Sequence, residues 1–352
     1  MLKLNFLGTS AGMPTKQRNV TALAVSLVCA EQTPKKTPWL LVDCGEGTQH
    51  QLLKTPLSMM QLEVIAITHL HGDHCYGLFG LLASMAMNGR KTPLTLIAPQ
   101  ALAPMLEVVM ATTQLNVNFA IHFVSTQSLL EGKPHHHYML AISPSHHVTI
   151  EVIALSHRMP SHAFKITQAI DYTHLDSEKL LAKGVKPSHI WGKLQHGYDV
   201  TLGNGEILKA AEFCESRQQK TAIIVAGDND TPACLSDAMA GVGLLVHEAT
   251  YTQAVADKIR QTKPNFDPMH TSAKQIAQFA QSAALPNLIL THFSGRFQPF
   301  NNPSSATANM GHIDQEVRQY YQNRYWLARD FDAFEVTGDS VEALATSADG
   351  DC

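Results

Sequence analysis

Residues 62–74 confine this chain more than any other stretch. Leu62 to Thr68 reads Leu-Glu-Val-Ile-Ala-Ile-Thr and runs straight into His69-Leu70-His71-Gly72-Asp73-His74. The first part has the apolar, β-branched character of a buried strand. The second packs three imidazoles and a carboxylate into six residues. A strand end at the rim of a sheet reconciles the two. A tight loop there aims alternate side chains at one point, so His69 and His71 can share a metal, with Asp73 and His74 directed to a second ion beside it. Gly72 permits the turn that such convergence requires. Imidazole nitrogens and a carboxylate are donors that zinc prefers, and two zinc ions about 3.5–4 Å apart form a hydrolytic clamp.

Composition narrows the class. With 352 residues, 45% of them hydrophobic and 16% charged, the chain can bury a sizeable core and is not a disordered protein. Its 26 Lys+Arg against 30 Asp+Glu leave a net charge of −4, which excludes a generally basic nucleic-acid coat. Any RNA contact is therefore confined to a local patch. Six scattered cysteines without a C-x-x-C pair read as reduced thiols. Neither a signal peptide nor an apolar run of membrane-spanning length is evident, so a cytoplasmic protein without membrane contact is expected.

Strands are expected over 2–7, 21–28, 39–43, 62–68, 94–98, 120–124, 138–142, 149–155, 221–227, 242–248 and 286–293, and helices over 76–87, 231–239 and 272–283. Residues 31–38 read as a hairpin tip. Such alternation suits a layered α/β sandwich. The stretch from 171 to 213 carries Lys179, Lys183, Lys186 and Lys193, lacks a long core strand and reads as an insertion. The small, acidic tail after Thr337 reads as frayed. Met85 and Met87 read as helix core. His135–His137 and His146–His147 read as solvated loops, and Cys75 as no ligand.

The His-x-His-x-Asp-His motif resembles the signature of the metallo-β-lactamase superfamily, and its neighbours sharpen the match. From about Leu2 to Val336 the chain resembles the ribonuclease Z family, zinc endonucleases that trim tRNA 3′ ends. The matching pieces, in family order, begin with Gly8–Gly12 and Pro14–Asn19, followed by Asp43–Gln49. His157 follows Leu155-Ser156, and Asp228 follows Ala226-Gly227. His247-Glu248-Ala249-Thr250 resembles an element specific to the family, and His270 and His292 come after it. On the residues alone, His157, Asp228 and His292 each fall near the end of an expected strand, although His162 competes with His157.

The resemblance implies a four-layer αββα metallo-β-lactamase sandwich over 1–337, a protruding tRNA-binding arm at about 171–213, and a disordered tail over 338–352. It implies two Zn²⁺ per subunit, with Mn²⁺ or Fe²⁺ also compatible. His69, His71 and His157 hold the first, Asp73, His74 and His292 the second, and Asp228 bridges. Asp73, Glu248 and His270 are the implied catalytic residues: metal-activated hydroxide attacks a phosphodiester of precursor tRNA, and His270, held by Glu248, protonates the leaving 3′ oxygen. A homodimer is implied, and no DNA substrate. Lys16, Arg18 and Arg296 are candidate phosphate contacts, and Lys183, Lys186 and Lys193 candidate RNA contacts on the arm. The chain departs from the family twice. Ser188-His189 stands where a Gly-Pro pair is usual, and Asn229 where Thr commonly follows the bridging Asp. Two rival readings are a small-molecule phosphodiesterase of the same fold, which needs no arm, and a non-catalytic RNA-binding member, which would be expected to lose some ligands.

Overall fold

In Leu2–Gly8 the side chains of Leu2, Leu4 and Phe6 are buried while Lys3 and Asn5 are partly exposed, the alternation of a strand with one covered face. Ala22–Leu27, Trp39–Val42, Leu244–Glu248 and Asn287–Thr291 are instead buried at every position, as strands covered on both faces must be. In the computed structural model, which describes residues 1–29, 36–263 and 265–345, these strands belong to two sheets. The eight-stranded sheet runs in the order Ser340–Leu344, Ala333–Thr337, Leu2–Gly8, Ala22–Leu27, Trp39–Val42, Leu62–Ala66, Leu94–Ala98, Ile121–Ser125. The seven-stranded sheet runs Arg324–Leu327, Asn287–Thr291, Leu244–Glu248, Cys214–Ala226, Ser161–Leu175, His146–Leu155, His137–Ser143.

Helix Leu78–Met87 packs Leu78, Leu81 and Met85 into one core with Leu41, Ile65 and Leu96 of the first sheet. Helices Ala273–Ser282 and Met310–Tyr320 place Ile276, Ile313 and Val317 against Leu245, Leu288 and Leu290 of the second. The Phe334 ring meets Trp326 of the other sheet edge-on at 5.6 Å and Phe6 of its own sheet edge-on at 5.9 Å. The layers are helix, sheet, sheet, helix, as expected. Among the described residues no helix is long and apolar enough to cross a membrane.

The chain divides into two compact units, one of 1–139, 149–167 and 221–352, the other of 140–148 and 168–220. The second has its own small core of Leu180, Val185, Leu194, Leu208 and Phe213. Its helix His189–Gln195 starts at Ser188, whose hydroxyl accepts the Ile190 N–H at 3.4 Å. The unusual Ser188-His189 step is thus an N-cap followed by the first helical residue.

Several expectations need correction. The second unit, 140–148 and 168–220, contains the whole of the expected insertion at 171–213 and adds 140–148 to it. Ser340–Leu344 is no frayed tail: it pairs antiparallel with Ala333–Thr337 and buries Val341. Residues 346–352 of the expected tail, and 31–35 of the expected hairpin tip, lie outside the described residues. The helix expected over 231–239 is present as the 3₁₀ helix Pro232–Ala238. Met87 is 89% exposed, on the outer side of its helix, while Met85 is core. His146 lies in a strand, buried, with Nε2 2.8 Å from the Gln168 amide nitrogen.

Gly45 shows how closely the loop after Trp39–Val42 is fused to the histidine loop. Cys44 N–H donates to the His74 carbonyl at 2.8 Å, and a Cβ on Gly45 would collide with the backbone oxygen of Asp73. Gly45→Ala is expected to cost about 1–3 kcal/mol by overpacking and to lower metal content, read by chemical denaturation and elemental analysis. Gly192→Ala, in open space within a helix, should leave both unchanged or raise stability slightly.

Candidate metal centre

The site is built from strand ends. Leu62–Ala66, His146–Leu155, Cys214–Ala226, Leu244–Glu248 and Asn287–Thr291 deliver His69, His157, Asp228, Glu248 and His292 at or just past their carboxyl ends. Two of the loops bend sharply: Asp43 has φ +59° and His292 φ +55°, both in the left-handed region that is uncommon for residues with a side chain. Such conformations persist only where surrounding contacts hold them.

The side chains form two nests. In the first, His69 Nε2 lies 3.0 Å from His71 Nδ1, and His157 Nε2 lies 3.4 Å from the same atom. In the second, His74 Nε2 lies 3.3 Å from His292 Nε2, and Asp73 Oδ2 is 3.5 Å from each. Asp228 faces both. Its Oδ2 is 3.5 Å from His69 Nε2 and 3.8 Å from His157 Nε2, and its Oδ1 is 3.3 Å from His74 Nε2 and 3.2 Å from His292 Nε2. All seven sequence-predicted ligands are brought together, and their ligand atoms fall within 4.8 Å of one another inside each nest. His162 is not among them: its Nδ1 donates to the Thr68 carbonyl at 2.8 Å.

The rear nitrogens explain why the front ones converge. His74 Nδ1–H donates to Asp43 Oδ2 at 2.7 Å, His69 Nδ1–H to Thr68 Oγ1 at 3.1 Å, His157 Nδ1–H to the Met269 carbonyl at 2.9 Å, and His292 Nδ1–H to Thr250 Oγ1 at 3.0 Å. With those protons directed away, lone pairs face one another across gaps of hydrogen-bond length. A cation is what such a donor set fits. Asp43 itself accepts Thr68 N–H at 2.8 Å, Thr68 Oγ1–H at 2.9 Å and His74. Asp43 and Thr250 were not singled out as functional from the sequence. Both lie in pieces that match the family, but the pairings that give them their place span 25 to 42 residues, which no local pattern reports.

Charge supports the same reading. Burial pushes His69, His71 and His157 down, which favours neutral ligands. Burial also opposes protonation of His74 and His292, but the Asp228 carboxylate outweighs it. With Asp43, it lifts His74 well above the usual range; with Asp73 and Glu248, it lifts His292 to about 10. The carboxylates thus demand positive charge at this spot.

Beside the second nest, Glu248 is buried and receives His270 Nδ1–H at 3.0 Å on Oε2, together with the Thr250 hydroxyl. His270 Nδ1 also lies 3.7 Å from Asp228 Oδ2. The expected phosphate contacts divide. Lys16 and Arg296 are exposed, but Arg18 is buried, donating from Nη1 to Thr9 Oγ1 and the Ala328 carbonyl, both at 3.2 Å, and lying on the Phe293 ring. Arg18 is committed to the fold, which corrects its assignment as a phosphate contact. In the second unit Lys183 donates to Glu206 at 2.8 Å, while Lys186 and Lys193 are exposed with no ion pair among the described residues.

Comparison with known proteins finds relatives along the whole chain. The family model described as anti-Pycsar protein Apyc1 matches residues 2–183, about half of the chain. The chain is 43% identical over 341 residues to a protein named ribonuclease Z from Marinobacter nauticus, covering 96% of this chain and 97% of that one. It is 39% identical to one of the same name from Pseudomonas putida, covering 98% and 99%. Among solved structures it resembles human tRNase Z, short form, with a TM-score of 0.57, 23% identity and coverage of 95% and 99%. It also resembles the metallo-β-lactamase fold protein YhfI from Bacillus subtilis, with a TM-score of 0.58, 13% identity and coverage of 94% and 98%. These two likenesses show the fold.

Asp43→Asn tests whether orientation by the rear nitrogens matters. The amide keeps the shape but weakens the acceptor for His74 Nδ1–H, so metal affinity should fall by about 10–100-fold, measured by competition with a chelator. Unchanged affinity would show that Asp43 supports folding only.

Proposed function

The chain belongs to the ribonuclease Z family and, over residues 2–183, to the family of the anti-Pycsar protein Apyc1; from the first membership we propose that it cuts the 3′ trailer from tRNA precursors and leaves a 3′ hydroxyl on the tRNA. The full-length relatives weigh more here, because Asp228, Glu248, His270 and His292 all lie beyond residue 183. It is an endoribonuclease, and the observation that carries the reaction is the Glu248–His270 pair set against Asp228 beside two converging nests.

The residues fit two zinc ions, one held by His69, His71 and His157, the other by Asp73, His74 and His292, with Asp228 shared. Manganese or iron suits the same donors. When bound, the metals supply Lewis-acid polarisation of the phosphate and lower the pKa of water. The protein does the rest. Asp73, whose Oδ2 accepts the Gly12 N–H at 2.7 Å, orients or deprotonates the attacking water. His270 commits Nδ1 to Glu248, which leaves Nε2 to give a proton to the departing 3′ oxygen of the tRNA. Lys16 and Arg296 receive phosphates near the break. The second unit carries as many acidic as basic residues, so its grip on RNA is local, centred on Lys186 and Lys193, with Lys183 exchanging Glu206 for phosphate. The enzyme works as a homodimer in the cytoplasm.

Incubation of purified protein with a 3′-extended tRNA precursor, followed by product mapping, tests the reading. One endonucleolytic cut should yield a 3′-hydroxyl tRNA and an intact trailer. Replacing 176–201 by a Gly/Ser linker should abolish this cut while sparing a nitrophenyl phosphodiester, since remote binding helps only substrates that reach it. A linker variant that processes precursor as well as the parent would favour the small-molecule phosphodiesterase reading.

The pH profile gives a second check. Burial opposes protonation of His270, but the charge and hydrogen bond of Glu248 outweigh it and raise its pKa. Glu248 is itself brought down to about 2: burial works against this, and His270 overcomes it. A raised pKa keeps the proton to higher pH, so Glu248→Gln should move the alkaline limb of kcat to lower pH. A limb that stays in place would remove Glu248 from that role.

A further inference from the structure

Asn229, the residue at which this chain departs from the usual Thr, is fully buried and bonded through every polar group it has. Its amide oxygen accepts Ser156 N–H and Thr231 N–H, both at 3.2 Å. Its amide nitrogen donates to His247 Nε2 at 3.1 Å, while His247 Nδ1–H donates to the Glu248 carbonyl at 2.9 Å. Its backbone N–H donates to Glu248 Oε1 at 2.7 Å, and its carbonyl accepts the Thr271 hydroxyl. Three of these five bonds end on residues 247, 248 and 271, which flank or form the Glu248–His270 pair. One ends on Ser156 beside His157, and none on a ligand side chain.

From this we propose that Asn229 is a positioning residue for proton donation, acting through Glu248 and His270, although it stands next to the carboxylate shared by the two nests. A hydroxyl at this position is too short to hold Ser156, Thr231 and His247 together. The amide carries both the two-fold acceptor and the donor that the cluster needs. Losing the side chain leaves His247 Nε2 buried and the part-buried Ser156 N–H without their partner, and the end of Leu244–Glu248 that carries Glu248 loses a fixed point. The inference rests on the reading of His270 as the acid.

The test is a series of aryl phosphodiesters with leaving groups from nitrophenol to phenol. It compares the parent, His270→Ala, Asn229→Ala and, in case alanine fails to fold, Asn229→Thr, with metal content and melting temperature measured on each. Needed protonation rises as the leaving group worsens. His270→Ala should therefore lose little on the nitrophenyl ester and increasingly more towards phenol. Asn229→Ala or Asn229→Thr should follow the same trend at smaller amplitude, about 10–100-fold on the worst leaving group and less than about 3-fold on the best, with metal content unchanged. An Asn229 variant that slows every ester equally, or that loses metal while His270→Ala keeps its steep trend, overturns the proposal. A flat series for His270→Ala overturns the acid reading itself and this inference with it. Because no RNA is used, the result stands apart from the tRNA assignment.

Discussion

A buried carboxylate at Asp43 is the constraint around which the centre is arranged. Removing an ion from water costs several kcal/mol unless hydrogen bonds or opposite charge replace the lost solvent. Asp43 is 1% exposed and receives three donors, the Thr68 amide, the Thr68 hydroxyl and His74. Trp39–Val42 and Leu62–Ala66 are parallel neighbours, so the residues just past their carboxyl ends lie side by side. That register brings Asp43 to Thr68. Through Thr68 it orients His69 in one nest, and directly it orients His74 in the other. One side chain thereby sets one imidazole in each nest, and the left-handed backbone at Asp43 is the local cost of placing it there.

The second ring of support works on the opposite sheet by the same logic. Cys214–Ala226, Leu244–Glu248 and Asn287–Thr291 are parallel and in register, so Asp228, Glu248 and His292 emerge together at one rim. Thr250 and Asn229 then connect them: Thr250 donates to Glu248 and accepts from His292, and Asn229 holds Glu248 and His247. The imidazoles of the nests and the Glu248–His270 pair are carried by the same strand ends but are tied by different bonds.

How much of this could be read in advance follows from chain distance. His69, His71, Asp73 and His74 were legible because a strand and its loop are covalently continuous, and a local pattern reports local geometry. His157, Asp228 and His292 were legible as strand-end residues, and the resemblance grouped them. His157 and His162 could not be told apart by position. The structure separates them because His162 turns inward to the Thr68 carbonyl. Arg18 was misjudged because a charged residue in a polar loop gives no sign that Thr9, Ala328 and Phe293 will enclose it. The strand at 333–337 pairs with Leu2–Gly8, a partner distant in sequence, which strand propensity does not report, and 340–344 then pairs onto it as a hairpin. Ser188-His189, a departure from the family by residue type, is a helix start, because capping depends on backbone conformation as well as residue type.

The central claim is that two metals sit in these nests with Asp228 between them. Anomalous diffraction from crystals grown with zinc measures it directly. Two peaks are predicted, one at bonding distance, about 2.0–2.2 Å, from His69, His71 and His157, the other from Asp73, His74 and His292, with an Asp228 oxygen on each. A single peak, or two peaks that leave Asp228 uncoordinated, would contradict the account.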